Sequence, residues 1–459
     1  MGIGLPLLAY YFSETAIGLT DLYIVGQLGS AELAAVGLGK TLVFGWLILG
    51  FCMLSMVSVL GAEALAQNNR KRLQTVLIQG FWLALALALL GKILIFVVHR
   101  LLPIFGYDAE LLVLLQTYLG WVVWMLLPGL CFALLRNLLT VLSRTRVFMG
   151  VSVLAVLANY GLNQVLVFGR LGLPALGVSG AALATVLVNI LSLVVLALYV
   201  YRREPELMRT TVQQLGQFRR QTFVELSRLG LPAGTLQFLE SGFFIAISLL
   251  IAFYGTAWLA ANNVLLAVLE VNYIIMLALG EALAVRIAYQ RGLGQPVMIR
   301  SLVRFGLIVT AGVTLTLTLL LWWFPEWWVR LFMNADAPGY TETLEHALVL
   351  AGIAVLFLCF DGLQVSTTWM LRGLRDTLVP MWVGMTGYWL IGIGLGALLS
   401  FQLGWGAPGL WWGFAAGLTG AGSALLIRVW LKDQSLQPKK KPLMRNHTAA
   451  QRGNEHLSE

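Results

Sequence analysis

The sequence predicts an all-α membrane protein of twelve transmembrane helices in two six-helix halves. Three observations predict it. Hydrophobic residues make up 59% of the 459 and charged residues only 11%, where a soluble domain carries about 25% charged. The apolar stretches run to about 20 residues or more, which suits helices crossing a core of roughly 30 Å; transmembrane strands would be shorter and would alternate apolar with polar. Segments of the first half also recur in the second, in the same order and at a nearly constant spacing.

Apolar runs between turns rich in Gly, Pro and Arg place the helices at 5–27, 41–66, 73–98, 111–135, 147–169, 176–201, 222–254, 257–286, 301–324, 345–371, 378–401 and 409–431. Sorting Lys and Arg by side sets the orientation. Of the 30, 25 fall in the loops after the even-numbered helices or in the C-terminal tail, and five (Lys40, Lys92, Arg100, Arg170, Arg330) fall on the other side. Basic loops stay in the cytoplasm, so both termini are expected there, which an even number of spans requires. The net charge of +9 therefore reads as topology, and no nucleic-acid partner is expected. Tryptophans such as Trp322, Trp323, Trp327 and Trp328 fit an interfacial aromatic belt. No basic leader precedes the first helix, so no cleaved signal peptide is expected.

The repeat divides the chain. Gly4-Leu5-Pro6 recurs as Gly230-Leu231-Pro232; with the same shift of 226 residues Glu14 meets Glu240, Gly29 meets Gly255, and Leu33-Ala34-Ala35 meets Leu259-Ala260-Ala261. Residues 1–201 form the first lobe, 202–228 a cytoplasmic connection, 229–431 the second lobe, and 432–459 a disordered basic cytoplasmic tail that includes Lys439–Lys441. Parallel repeats of this kind are a transporter device, with substrate held between the halves near the midplane.

Six acids fall inside expected helices: Glu14, Asp21, Glu240, Glu270, Glu281 and Asp361. An acid at bilayer depth costs about 2.5–3.5 kcal/mol on insertion scales and marks an ion or substrate path. No Lys or Arg is expected at comparable depth, so the partner of this charge is a proton, a metal cation or a cationic substrate. Asn159 and Asn163, four residues apart, share a helix face and with Thr185 offer oxygens to Asp21. That set would suit Na⁺ at Asp21, Asn159 and Asn163, or a proton. Glu240 and Asp361 are central in the second half; Glu14 lies two turns from Asp21 and extends the site. Glu281 has Arg286 as its nearest basic residue along the chain. Phe357, Phe360, Trp369, Tyr388 and Trp389 are expected around Asp361, with Tyr388 and Trp389 facing substrate through ring contacts. The cysteines (Cys52, Cys131, Cys359) and the scattered histidines (His99, His346, His447, His456) fit neither a disulfide framework nor a zinc centre. A membrane-embedded enzyme would need a His-based constellation, and none is present, so no enzymatic activity is expected.

These residues resemble the multidrug and toxic compound extrusion (MATE) family, in its bacterial NorM-like branch, from Gly4 to about Trp430. The resemblance rests on Gly18-Leu19-Thr20-Asp21 with Leu33-Ala34-Ala35-Val36, on Asn159-Tyr160-Gly161-Leu162-Asn163 with Gly180-Ala181-Ala182-Leu183-Ala184-Thr185, on Gly230-Leu231-Pro232 with Glu240, and on Asp361-Gly362-Leu363-Gln364 with Leu371-Arg372-Gly373. Asn262-Asn263 departs from the family's usual His-Gln pair, and Glu14 stands where an uncharged residue is usual. The resemblance implies a V-shaped pair of lobes in the bacterial inner membrane that works as a monomer without cofactor. It implies exchange of cytoplasmic organic cations or drugs for H⁺ or Na⁺ by alternating access. It makes Asp21, Asn159, Asn163 and Thr185 a first-lobe cation site, and Glu240 and Asp361 second-lobe acids that couple ion and drug. A flippase for lipid-linked precursors shares the superfamily shape but would call for basic residues in the cavity.

Overall fold

The computed structural model describes residues 4–106, 108–332 and 339–435. The described residues are helices and short connections: α1 Gly4–Gly26, α2 Ser30–Ala66, α3 Arg70–Leu101, α4 Ala109–Val122, α5 Leu126–Val141, α6 Thr145–Leu166, α7 Gly177–Arg203, α8 Pro205–Gln213, α9 Arg220–Ala252, α10 Thr256–Gly292, α11 Pro296–Trp323, α12 Pro325–Phe332, α13 Tyr340–Gly373, α14 Leu378–Gly384, α15 Gly394–Ala397 and α16 Ala407–Ser435. A single 3₁₀ turn joins α4 to α5 in one span, and π-helical turns at Met385–Ile393 and Leu398–Gln402 carry α14 and α15 as another. Among the described residues, eleven spans are long and apolar enough to cross a membrane. The twelfth, α1, is long enough, but Ser13, Glu14, Thr15, Thr20 and Asp21 dilute its apolar count.

Several helices run past their expected ends, and in three of them a basic residue stands at the expected boundary. Helix α2 begins at Ser30 rather than 41, α5 runs to Val141 rather than 135, and α13 runs to Gly373 rather than 371. Lys40, Arg136 and Arg372 sit at those expected boundaries, and each lies inside a helix. The connection between the lobes is shorter than expected, because α9 starts at Arg220; α8 fills much of it. Trp82 and Gln79 on α3 hold that connection by donating to the carbonyls of Leu215 (2.9 Å) and Gln217 (3.0 Å). The expected tail is helical to Ser435, and Lys439–Lys441 lie outside the described residues.

The repeat is written in the backbone. Helices α2 and α10 are both 37 residues long, and each starts after a glycine, Gly29 and Gly255. The turns that follow them place Asn68 and Gly294 in left-handed conformation (φ 52° and 67°), and the turns before α6 and α14 do the same for Ser143 and Arg375 (φ 57° and 60°). Each half packs its own core, one around Leu54, Leu60, Leu130 and Phe148, the other around Phe243, Ile247, Phe357 and Phe414.

The lobes meet where α2 crosses α9 and α10 in the half of the bundle nearer the basic loops. The crossing is close enough to require glycine: a Cβ on Gly230 would lie 2.8 Å from the Met53 carbonyl oxygen, and one on Gly234 2.7 Å from that of Leu49. Ion pairs seal this basic end. Glu63 on α2 accepts from Arg375 in a short two-pronged contact and lies 3.6 Å from Arg291. Glu225 on α9 accepts from Arg375 (2.7 Å) and from Arg72 on α3 (3.3 Å). Arg375 is about a fifth exposed, so solvent screening limits its value. Arg375→Ala is expected to weaken the seal by about 1 kcal/mol, read as faster thiol labelling of a cysteine placed at the basic end, with the effect shrinking in high salt.

Candidate functional site

Away from that seal the lobes diverge around a cavity of about 710 Å³, within the range of roughly 300–1,000 Å³ that holds drug-sized ligands. Its walls come from α1, α2, α4, α5 and α7 of the first lobe and α9, α10, α13 and α16 of the second. Its aromatic lining comprises Tyr10, Tyr11, Phe44, Phe51, Tyr118, Phe244, Tyr273, Trp369 and Phe414. Of the five aromatics expected from the sequence to surround Asp361, only Trp369 lines it. Phe357 belongs to the second core. Trp389 is partly exposed and donates to the Leu239 carbonyl (3.1 Å). Tyr388 is buried behind the wall.

Asp21, on α1, is buried and its carboxylate is fully engaged. Asn163 Nδ2 donates to Oδ1 (2.9 Å), Thr185 Oγ1 lies 3.2 Å from Oδ2, and Lys40 Nζ donates to Oδ2 (3.0 Å) and to the Gly18 carbonyl (2.9 Å). The structure thus brings Asp21, Asn163 and Thr185 together. Asn159 lies one turn from Asn163 and is buried with neither amide atom bonded; Asn163 Oδ1 is likewise without a donor.

The second-lobe acids face the cavity from α9 and α13. Glu240 accepts from Gln237 Nε2 (2.8 Å) and from the Tyr388 hydroxyl (3.4 Å). Tyr388 is fixed by stacking on Phe243 (ring centroids 5.5 Å apart) and by a short bond from Gln364 Nε2. Its place in a π-helical stretch fits the tendency of such turns to occur at functional sites. Asp361 accepts from Asn272 Nδ2 at 3.2 Å. Glu14 and Glu270 also line the cavity, and both are exposed to it.

The expectation that no basic residue reaches this depth is wrong. Lys40 and Arg136 both line the cavity, and Arg372 is fully buried, its guanidinium over the Trp369 ring and 3.4 Å from the Ala233 carbonyl. Glu281 pairs not with Arg286 but with Arg136 across the lobes, at 3.1 Å, and also accepts from the Tyr11 hydroxyl at 2.5 Å. The two basic residues of the lining are therefore already neutralised, Lys40 by Asp21 and Arg136 by Glu281. Among the described residues, Glu14, Glu240, Glu270 and Asp361 have no Lys or Arg nitrogen within ion-pair distance. The uncompensated charge of the cavity is acidic, and an anionic headgroup would find no free cation among the described lining residues. Gln237 was legible from its spacing, three residues before Glu240 on the same helix face, whereas nothing in the sequence tied Asn272 to Asp361, 89 residues away.

The site and fold agree with what the chain matches. Solved structures share the fold: the eukaryotic MATE transporter AtDTX14 (21% identity, TM-score 0.79, covering 95% of this chain and 96% of that one) and the bent form of the Vibrio cholerae MATE transporter VcmN (20% identity, TM-score 0.80, covering 95% and 96%). A relative from Agrobacterium fabrum described as a probable multidrug resistance protein NorM is 33% identical over 429 residues, 93% of this chain and 92% of its own. A multidrug resistance protein NorM from Burkholderia vietnamiensis is 33% identical over 439 residues, 94% and 93%. The MatE family model matches residues 6–165 and 232–398, one block in each lobe, and so the chain belongs to the MatE family of multi-pass membrane transporters.

Proposed function

We propose that the protein exports organic cations across the bacterial inner membrane in exchange for H⁺ or Na⁺, acting as a monomer with both termini in the cytoplasm. The observation that carries the proposal is the cavity between the lobes, lined by aromatic rings and by four carboxylates that have no basic partner among the described residues. Aromatic faces and desolvated carboxylates together select amphipathic cations. With the basic end in the cytoplasm, the sealed crossing of α2 with α9 and α10 closes the cytoplasmic side, and the cavity belongs to the outward-open state.

Exchange follows from competition. A proton or Na⁺ arriving at Glu240 and Asp361 cancels the charge that holds the drug, and the drug leaves. The neutralised cavity tolerates closure, the lobes rock, and the ion departs on the other side. Coupling requires that ion and substrate differ in their preference for the two states; equal preference would shift nothing. The test is efflux of ethidium from proteoliposomes driven by a pH gradient alone and then by a Na⁺ gradient alone. Export driven by either supports the proposal and names the ion. Purified protein that moves ethidium equally well with no gradient, or not at all with both, overturns it.

A further inference from the structure

We propose that Lys40 is a tethered cation that competes with any dissolved ion for Asp21. The proposal rests on the cation-coupled reading of the cavity and adds a residue that sets which ion the first lobe accepts. Lys40 lines the cavity, whereas Asp21 is 2% exposed and does not. The ammonium sits between the two, 3.0 Å from Oδ2 of Asp21 and 2.9 Å from the Gly18 carbonyl oxygen. An ion that enters from the cavity therefore meets a positive charge before it meets the carboxylate.

The face of α6 that packs on Asp21 carries unsatisfied oxygens. The buried Oδ1 atoms of Asn159 and Asn163 have no donor, although buried oxygens are normally satisfied. With Asp21 they supply oxygen ligands of the kind an alkali ion takes. One carboxylate cannot hold two cations at this distance without strong repulsion, so the ammonium and a bound Na⁺ exclude each other. Lys40 hangs on a flexible four-carbon stem and is 23% exposed, so it has the cavity to retreat into. The first-lobe site is thereby biased away from Na⁺ and keeps its charge balanced while empty of any dissolved ion.

The test measures Na⁺ binding to the purified full-length protein by calorimetric titration with NaCl, with choline chloride as the ionic-strength control. Lys40→Met is expected to bind Na⁺ about tenfold more tightly than wild type or more, and Lys40→Arg to stay at the wild-type level. The gain is expected to vanish in Lys40→Met combined with Asp21→Asn. Unchanged or weaker affinity in Lys40→Met, no binding by either protein, or a gain that survives Asp21→Asn would overturn the proposal. A second measurement needs no variant: reaction of Lys40 with an amine-directed reagent, read by mass spectrometry, is expected to rise with NaCl and not with choline chloride. Reactivity that stays flat through saturation of Na⁺ binding also overturns it. None of these readouts depends on transport, so failure of the export reading would show separately, as absent gradient-driven ethidium efflux by the wild type.

Discussion

Glu240→Gln is expected to abolish gradient-driven export while leaving the protein folded. Glu240 is buried at the cavity wall and is held by neutral donors alone, Gln237 Nε2 at 2.8 Å and the Tyr388 hydroxyl at 3.4 Å. Its charge is therefore not spent on a structural ion pair and is available to a drug or a coupling ion. The amide has the same shape, so the packing of α9 against the π-helical turns survives. What disappears is a desolvated charge–charge attraction worth about 2–3 kcal/mol, or roughly 30- to 150-fold in substrate affinity. Ethidium binding to the purified variant should weaken by that factor, its efflux should no longer respond to an ion gradient, and its unfolding temperature in detergent should match or exceed the wild type's, because a buried charge has been removed. Asp361→Asn should act in the same direction. The double variant should lose little more than either single one, since residues that work as a unit are not additive. Full gradient-driven export by Glu240→Gln would remove the second-lobe acid from the mechanism.

The fold was legible because lipid imposes a simple rule. Eleven of the twelve expected stretches are helices long and apolar enough to span, with α1 as the twelfth helix, and the 226-residue shift between Gly29 and Gly255 reappears as two 37-residue helices that begin after those glycines. Asp21 with Asn163 and Thr185 was legible because an acid and polar partners in apolar helices have few places to go. The basic partners were not, and the cause is specific. Lys40, Arg136 and Arg372 each stand near the end of an apolar run, where a charge reads as the edge of a span and a long side chain as one that snorkels. The helices continue through all three. Lys40 turns inward onto Asp21, and Arg136 crosses to the other lobe 145 residues along the chain. Hydropathy gives the depth of a residue only to within a turn or two and says nothing of the face it occupies when the opposing helix comes from the other repeat. Tyr388 and Trp389 show the same limit on the small scale. They are adjacent, so only one could point toward Glu240, and π-helical winding places Tyr388 there.

Arg136→Ala is expected to destabilise the observed state by about 3–5 kcal/mol, the cost of stranding a buried charge. Glu281 is fully buried and Arg136 is 5% exposed, so truncation leaves the buried carboxylate without its ion-pair partner. The Tyr11 hydroxyl would remain as the single donor to Glu281. Because Arg136 and Tyr11 line the cavity from the first lobe and Glu281 belongs to the second, this contact bridges the lobes beside the cavity and would be broken by opening the basic end. Opening that end would part Glu281 from α5 altogether, so the variant's penalty falls mainly on the state seen here. The conformational equilibrium should therefore move toward the basic-side-open state by far more than Arg375→Ala moves it. Two measurements separate this from plain damage. Thermal unfolding of Arg136→Ala should be lowered, and a cysteine at the basic end should become reactive at temperatures where the protein is still folded. Adding Glu281→Gln should recover much of both losses, since an uncharged amide can sit in the same pocket with Tyr11 at a fraction of the cost. A recovery of stability without a return of basic-end protection would mean that the pair holds the fold together but does not set which side is open. A wild-type unfolding temperature in Arg136→Ala would mean that it does neither.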